Sequence, residues 1–291
     1  MLDFIVNPVA GGKKGKKIAN AIKKIKAYLT ERKIDFSMHF THKKGGAKDV
    51  TEEVIKNGAT TVIAVGGDGT LHEVINGFSD FDKVAMGIIP CGTGNDFASA
   101  LNLPFDVEKA LDLIIDGTPK YTDFMQMPTV RGLNVIGTGI DVDVLKRYAK
   151  KKKKNKLAYT TSLIKTLFKF NYVKFGADID GEKEEYTSFI ACIANGNRYG
   201  GGIPICPPAD ATDGSLNFVA VDQMKKLKII NAFLKLKKGK LLTLKQSHHK
   251  LAKRIEIFPE GEYTVNVDGE LYDNIPFVVE VISNTLRLYR P

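Results

Sequence analysis

Up to about Tyr121, short apolar runs alternate with stretches in which apolar residues recur every three or four positions. The run Leu2 to Val6 (LDFIV) has the length of a strand. From Lys13 to Arg32, Ile18, Ile22, Ile25 and Leu29 fall at spacings of four, three and four with lysines between them, the stripe of an amphipathic helix. IDFSMHF alternates as a strand does. Ala47 to Lys56 predicts a second helix, closed by Asn57-Gly58. TTVIAV and VAMGII are two more strands, and Asp106 to Ile115 is a further helix ending at Asp116-Gly117. Strand alternating with helix predicts an α/β unit with a mainly parallel sheet.

Beyond Tyr121 the pattern changes to short strands: LNVIG, KFGADID, SFIACIAN, SLNFVAV, RIEIF, YTVNV, PFVVEV and TLRLY. Asp180-Gly181, Asp213-Gly214 and Asp268-Gly269 supply turns between several of them. Helical periodicity interrupts near Lys156 to Phe168 and near Leu227 to Leu242. The expectation is an α/β first domain over 1–122 and a β-rich, antiparallel second domain over 123–291. The closing strand, about 277–291, is assignable to either. No internal repeat and no low-complexity linker is present.

Composition narrows the class. The chain has 291 residues and is 43% hydrophobic, enough for two cored domains. No apolar run approaches the ~18 residues of a membrane-spanning helix, and MLDFIVNP lacks the features of a signal peptide. Cys91, Cys192 and Cys206 form no CxxC pair, so neither a zinc site nor a disulfide framework is expected. His248 and His249 lack metal-ligand spacing to any partner. A cytoplasmic setting is expected. The net charge of +10 is concentrated in Lys146 to Lys156 and in Lys225 to Arg254, the latter carrying eleven basic residues and no acid. A solvated basic face accounts for either run alone. An anionic membrane, a nucleic acid or a phosphorylated ligand would also suit the charge.

The chemistry lies in three glycine turns. VGGDGTLHEVING runs from Val65 to Gly77. Its Gly66-Gly67-Asp68-Gly69-Thr70 segment comes after a predicted strand and precedes a helix expected over Leu71 to Asn76, the position where open α/β sheets bind ligands. Bare main-chain amides and a helix N-terminus favour phosphate. Asp68 would repel a bare anion, so it points to a metal-bound nucleotide. Asn7-Pro8-Val9-Ala10-Gly11-Gly12 also links a strand to a helix, one that opens with Lys13, Lys14, Lys16 and Lys17 where the dipole would favour acids. Pro90-Cys91-Gly92-Thr93-Gly94-Asn95-Asp96-Phe97-Ala98 is the third such turn, and Thr93 can hydrogen-bond a phosphate. Neither a Walker A loop nor G-x-G-x-x-G occurs in these turns. Three turns at one sheet edge would form a polyphosphate cradle.

VGGDGTLHEVING, PCGTGNDFA and NPVAGG together resemble the diacylglycerol kinase catalytic domain family, which is similar to the sphingosine and ceramide kinases. The likeness runs from Asn7 to Glu270. It implies a three-layer, NAD-kinase-like α/β domain and, after it, a β-rich sandwich domain for the lipid, with ATP in the cleft between them. It implies ATP contacts at Asn7, Pro8, Val9, Ala10 and Gly11, at Gly66, Gly67, Asp68, Gly69, Thr70, Leu71 and His72, and at Thr41 and Thr93. His72 departs from the asparagine often found there. The resemblance further implies Mg²⁺, including a structural ion held by Asp210, Asp213 and Ser215 in PPADATDGSL.

A lipid hydroxyl attacking a γ-phosphate must lose a proton, and a carboxylate can take it. Asp268-Gly269-Glu270 matches the family's acidic motif by position, whereas Asp180-Gly181-Glu182 has the same residues and reads as a hairpin turn. Glu270 is the expected proton acceptor, with Asp268 as its partner or as the base itself, and Asp68 a rival. The expected activity is transfer of the γ-phosphate of MgATP to diacylglycerol or a related lipid, giving phosphatidic acid or an analogue. The basic runs would meet an anionic membrane surface, making the enzyme a peripheral one, and LAYTTSLIKTLFKF beside Lys150 to Lys154 offers an interfacial helix. A homodimer is left open. GGDGT is shared with NAD kinases, the rival enzyme. A nucleic-acid-binding protein is the rival from another class, disfavoured because no basic-aromatic or helix-turn-helix signature occurs.

Overall fold

A computed structural model describes residues 1–10, 15–150, 162, 166 and 172–291. The lysine run 151–154 and most of the helix expected over 156–168 lie outside the described residues. The chain divides into two compact units, Met1–Asp123 with Ser283–Pro291, and Phe124–Ile282. Among the described residues no helix is long and apolar enough to cross a membrane.

The first unit is a three-layer α/β fold. Its elements are β1 (Leu2–Val6), α1 (Lys16–Glu31), β2 (Phe36–Phe40), α2 (Gly46–Lys56), β3 (Thr61–Gly66), α3 (Asp68–Gly77), β4 (Ala85–Pro90), α4 (Asp96–Ala100) and α5 (Val107–Ile115). The sheet is parallel in the order β2-β1-β3-β4. The chain's end joins it, with Arg287 and Leu288 beside Ala85 and Met86. Every residue of β3 and β4 is buried, as expected of parallel strands covered on both faces. Ile18, Ala21, Ile25 and Leu29 of α1 and Ala110, Leu111 and Ile114 of α5 pack over Phe4, Val6, Ile63 and Val65. Asp106 starts α5 by accepting from the N–H groups of Glu108 and Lys109 at 3.0 and 3.2 Å.

Register fixes where the loops emerge. Phe40, Val6, Val65 and Ile89 lie side by side. The chain therefore leaves all four strands at one rim, through Thr41, Asn7, Gly66 and Cys91.

The second unit is a β-rich sandwich. It holds β5 (Lys120–Gln126, which begins in the first unit), β6 (Arg131–Gly132), β7 (Val135–Gly139), α6 (Ile140–Ala149), β8 (Val173–Ile179), β9 (Glu182–Ala194), β10 (Leu216–Asp222), α7 (Lys226–Lys237), β11 (Ser247–Ala252), β12 (Arg254–Pro259), β13 (Thr264–Val267), β14 (Glu270–Asp273) and the start of β15 (Val278–Leu288). The long strand β9 pairs with β8 along its first half and lies between β7 and β10 along its second. One core gathers Phe175, Phe218, Ile255 and Val265. Another, under α7, gathers Ile190, Val219, Ile229 and Leu236.

The structure departs from the sequence expectation in places. α3 begins at Asp68, not Leu71, because Gly66 and Gly67 complete the turn by themselves. α6 was not anticipated: IDVDV alternates as a strand would, yet Gly139, at φ +102°, ends β7 and the chain turns into a helix. PFVVEV and TLRLY belong to one strand, β15, which continues through Asn284 at φ +52°.

Gly77 closes the packing of α3 on α2: a Cβ there would lie 2.4 Å from the Lys48 carbonyl oxygen and 2.8 Å from the Thr51 Cβ. Gly77→Ala is expected to destabilise the protein by about 1–3 kcal/mol through overpacking, read as a lower midpoint in thermal unfolding.

Candidate functional site

The turn after β3 is built by glycine for reasons internal to the chain. A Cβ on Gly66 would lie 2.3 Å from Thr70 Oγ1, so only glycine lets α3 start at once. A Cβ on Gly67 would lie 2.8 Å from Gly92 Cα, and one on Gly92 would lie 2.4 Å from Gly67 Cα. The turns after β3 and β4 thus touch backbone to backbone. A Cβ on Gly94 would meet Asp68 Oδ2 at 2.7 Å. The space left by these missing side chains is taken up by the protein itself, and what faces outward is bare main chain.

Three side chains of α3 tie down three other segments. Asp68 accepts from the N–H groups of Asn95 at 2.7 Å and Asp96 at 2.8 Å. Thr70 Oγ1 accepts from Asn7 Nδ2 at 3.2 Å. Glu73 accepts from the N–H groups of Gly45 at 2.8 Å and Ala47 at 2.9 Å. Asp96 opens α4 and Gly46 opens α2, so both carboxylates sit where helix N–H groups lack internal acceptors and the dipole favours negative charge. Lys17, in the first turn of α1, donates to the Gly92 carbonyl at 3.2 Å. Glu73 was not among the expected residues. Its signal in the sequence is a carboxylate in a helix with no base three or four residues away.

The expected nucleotide residues differ in how far a ligand can reach them. Asn7 is half-buried, and its side-chain oxygen accepts from Val9 N–H at 3.1 Å. Pro8 and Val9 are exposed and Ala10 is half-buried, while Gly11 lies outside the described residues. Thr41 is buried and donates its N–H to the Val6 carbonyl at 3.0 Å. Thr70, Leu71 and His72 are buried in α3 and Gly66 is buried at the end of β3, so a ligand meets this stretch between them, at Gly67 to Gly69. Thr93 is exposed on the turn after β4. Bare amides at the head of α3, flanked by Thr93 and the Lys17 ammonium, fit the phosphates of a nucleotide. Asp68, by accepting from the two amides, links the turn after β3 to the turn after β4.

In the second unit, Asp268 and Gly269 form a two-residue hairpin at φ +53° and +99°, with Val267 opposite Glu270. The Asp268 carboxylate accepts three N–H groups, from Leu133 at 2.6 Å, Asn134 at 2.9 Å and Val135 at 3.0 Å. Gly269 N–H donates to Asn266 Oδ1 at 2.8 Å, and Asn266 Nδ2 donates to Asp141 Oδ2 at 2.9 Å. Asp268 therefore fixes the hairpin, and the half-exposed Glu270 is the carboxylate the hairpin presents. Asp180-Gly181-Glu182 is its twin: φ +50° and +93°, with the Asp180 carboxylate accepting from Lys253 at 2.9 Å and Arg254 at 2.8 Å. There the glutamate is held by Lys250 at 3.0 Å.

Asp141 was also missed. It is 3% exposed, and burial pushes its carboxyl up from 3.8 to about 6, opposed by the Asn266 hydrogen bond. Its Oδ1 has no hydrogen-bond partner among the described residues. Asp210 accepts from Thr212 Oγ1 at 2.8 Å, and Asp213 Oδ1 from Ser215 N–H at 2.8 Å. Burial raises the Asp213 carboxyl above its ordinary value, and the charge of Asp210 adds to that. The donors in this loop are all oxygen, the type that suits Mg²⁺. Among the described residues, no group of three His, Cys, Asp or Glu side chains gathers around a common point.

Two family models match the chain: the diacylglycerol kinase catalytic domain over residues 2–127, and the YegS C-terminal NAD kinase beta sandwich-like domain over residues 134–290. The chain belongs to the diacylglycerol kinase family. It is a kinase, a phosphotransferase of the lipid-kinase type. A diacylglycerol kinase of Staphylococcus saprophyticus is 27% identical over 291 residues, covering 99% of this chain and 94% of its own. The fold is shared with a crystal structure of a diacylglycerol kinase from Bacillus anthracis, at a TM-score of 0.73 and 23% identity, covering 100% and 96% of the two chains. It is shared more loosely with an NAD kinase from Archaeoglobus fulgidus in complex with ATP, at a TM-score of 0.53 and 13% identity, covering 99% and 92%.

Two outcomes test this kinase's local physics. Asp68→Asn turns an amide donor toward a main-chain N–H, so the protein should lose about 1–3 kcal/mol in denaturant unfolding. For Asp141 the folded pKa is raised, so the native state binds the extra proton and stability falls as pH rises from about 4 to about 6. Asp141→Asn should flatten that slope and leave the protein more stable at neutral pH by about 2–3 kcal/mol, measured by unfolding across the pH range.

Proposed function

We propose that this kinase transfers the γ-phosphate of MgATP to the hydroxyl of diacylglycerol or a closely related lipid, giving phosphatidic acid or its analogue. The observation that carries the reading is the rim of the parallel sheet, where α3 holds three turns and bare main chain, with Thr93 and Lys17 beside it, is open to a ligand, in a chain of this family. The first unit is the nucleotide-binding part. The amides from Gly67 to Gly69, the Asn7 to Ala10 turn, Thr41 and Thr93 hold the nucleotide, and Lys17 adds a cation beside the phosphates. MgATP supplies the phosphoryl group and neutralises charge on its oxygens.

The second unit is the lipid-substrate part. As the lipid oxygen bonds to phosphorus and the bond to the ADP oxygen breaks, the hydroxyl proton passes to the Glu270 carboxylate. Asp268 keeps the Glu270 hairpin in place, and the buried Asp141, linked to the same hairpin through Asn266, supports it from behind. Asp210, Asp213 and Ser215 hold a Mg²⁺ that stabilises their loop. The substrate requires peripheral association with a membrane.

Incubation with radiolabelled ATP, a panel of lipids in detergent micelles, and NAD as a competing acceptor tests this reading. Label is expected in solvent-extractable lipid; label in NADP instead would replace the reading with an NAD kinase. Glu270→Gln should lower kcat about a hundredfold or more with little change in the KM for ATP, and full activity would remove Glu270 from the role. The twin hairpins give a control: Asp268→Asn should lower both kcat and unfolding midpoint, while Asp180→Asn lowers the midpoint alone.

A further inference from the structure

The basic run from Lys225 to Arg254 contains α7, whose two sides have different fates. Ile229, Ala232 and Leu236 are buried against the second unit's core, and Phe233 packs beside them. This fixes the helix about its own axis. On the outward side Ile230 is 47% and Leu234 52% exposed. Four residues apart, they stand one above the other as a branched aliphatic ridge. Lys237, Lys238 and Lys240 are exposed at the end of α7 that carries the ridge, Lys237 lying over the Phe233 ring at 5.6 Å, and none of the three is in an ion pair among the described residues. Lys235 is turned aside, donating to Thr243 Oγ1 at 2.9 Å and so joining the helix end to the turn beyond it.

We propose that the outward face of α7 is a docking surface for an anionic lipid bilayer, with Ile230 and Leu234 entering the acyl boundary and the lysines meeting the headgroups. The proposal rests on the lipid-kinase reading and specifies the face that reaches the substrate's membrane. The residue types select this occupant. Protein interfaces are depleted in lysine and enriched in arginine and aromatic residues. A nucleic-acid face would stack bases on aromatic or arginine side chains. The single arginine of the run, Arg254, is engaged with Glu256 at 2.7 Å and Glu280 at 3.2 Å. Aliphatic ridge flanked by lysines is the pattern of a helix lying in a membrane interface, where long cationic side chains lie over apolar surface and keep their charge in water.

Sedimentation of the full chain with phosphatidylcholine vesicles, with and without phosphatidylglycerol, tests the proposal. Binding should require phosphatidylglycerol and weaken with salt. The double variant Ile230→Ser, Leu234→Ser should lower partition tenfold or more. Each lysine contributes about fivefold near an anionic leaflet, so Lys237→Gln, Lys238→Gln, Lys240→Gln combined should lower it about a hundredfold. Both variants alter exposed positions and should melt as the parent does. Their turnover of detergent-dispersed diacylglycerol should be unchanged. Parental vesicle binding by the double variant would overturn the proposal, as would equal binding to neutral vesicles. Binding that tracks the lysines alone and is displaced by a single-stranded oligonucleotide would reassign the face to nucleic acid. If micellar lipid is phosphorylated but vesicle binding ignores both variants, docking through α7 fails and the kinase reading stands. If no lipid is phosphorylated in any form while vesicle binding depends on α7, the kinase reading fails and the docking surface stands.

Discussion

The candidate nucleotide site depends on one helix end. Within two turns of α3, Asp68, Thr70 and Glu73 accept hydrogen bonds from the segments that come after β4, β1 and β2. Four of the five donors are main-chain N–H groups at the starts of other helices, groups that would otherwise need solvent. The carboxylates also lie at the positive ends of those helices. The same bonds that satisfy the chain internally therefore set the positions of these segments at the described residues. Main-chain amides held in place in this way are the kind of donor that meets a phosphate at low ordering cost.

The second unit uses the same device on a β scaffold. An aspartate in the left-handed region at the tip of a hairpin sends its carboxylate back to a neighbouring strand's N–H groups. It happens at Asp180 and again at Asp268. The two hairpins differ in the fate of the glutamate after the glycine. Glu182 is paired with Lys250, and Glu270 adjoins a turn that Asn266 connects to the buried Asp141. One local structure thus recurs in two settings of the same sandwich.

Much of the fold was legible because the parallel strands are buried on both faces and read as unbroken apolar runs, as TTVIAV does at β3. The amphipathic stripe of α1 was equally plain, since Ile18, Ile25 and Leu29 face the sheet. α6 escaped because IDVDV has the period of a strand, and the turn at Gly139 that makes it helical is a matter of backbone shape. The glycine turns were recognisable as sites, but the reason for their glycines was not. Gly67 and Gly92 are small because each faces the other, a contact between segments 25 residues apart. The amide partners of Asp68 and Asp268 were likewise not legible, since they come from segments distant in sequence. Asp141 looked ordinary because its burial comes from strands far along the chain.

The tethering of these aspartates bears on how the protein ages. Among aspartyl dipeptides, Asp-Gly is the one most prone to close on itself as a succinimide and reopen as isoaspartate, since glycine leaves its own nitrogen unhindered. That ring needs the side-chain carboxyl to swing onto the next residue's nitrogen. Asp68, Asp180 and Asp268 each precede glycine, and each has its carboxylate bound to amides from another segment. The bonds that shape the turns therefore also guard them against slow covalent decay.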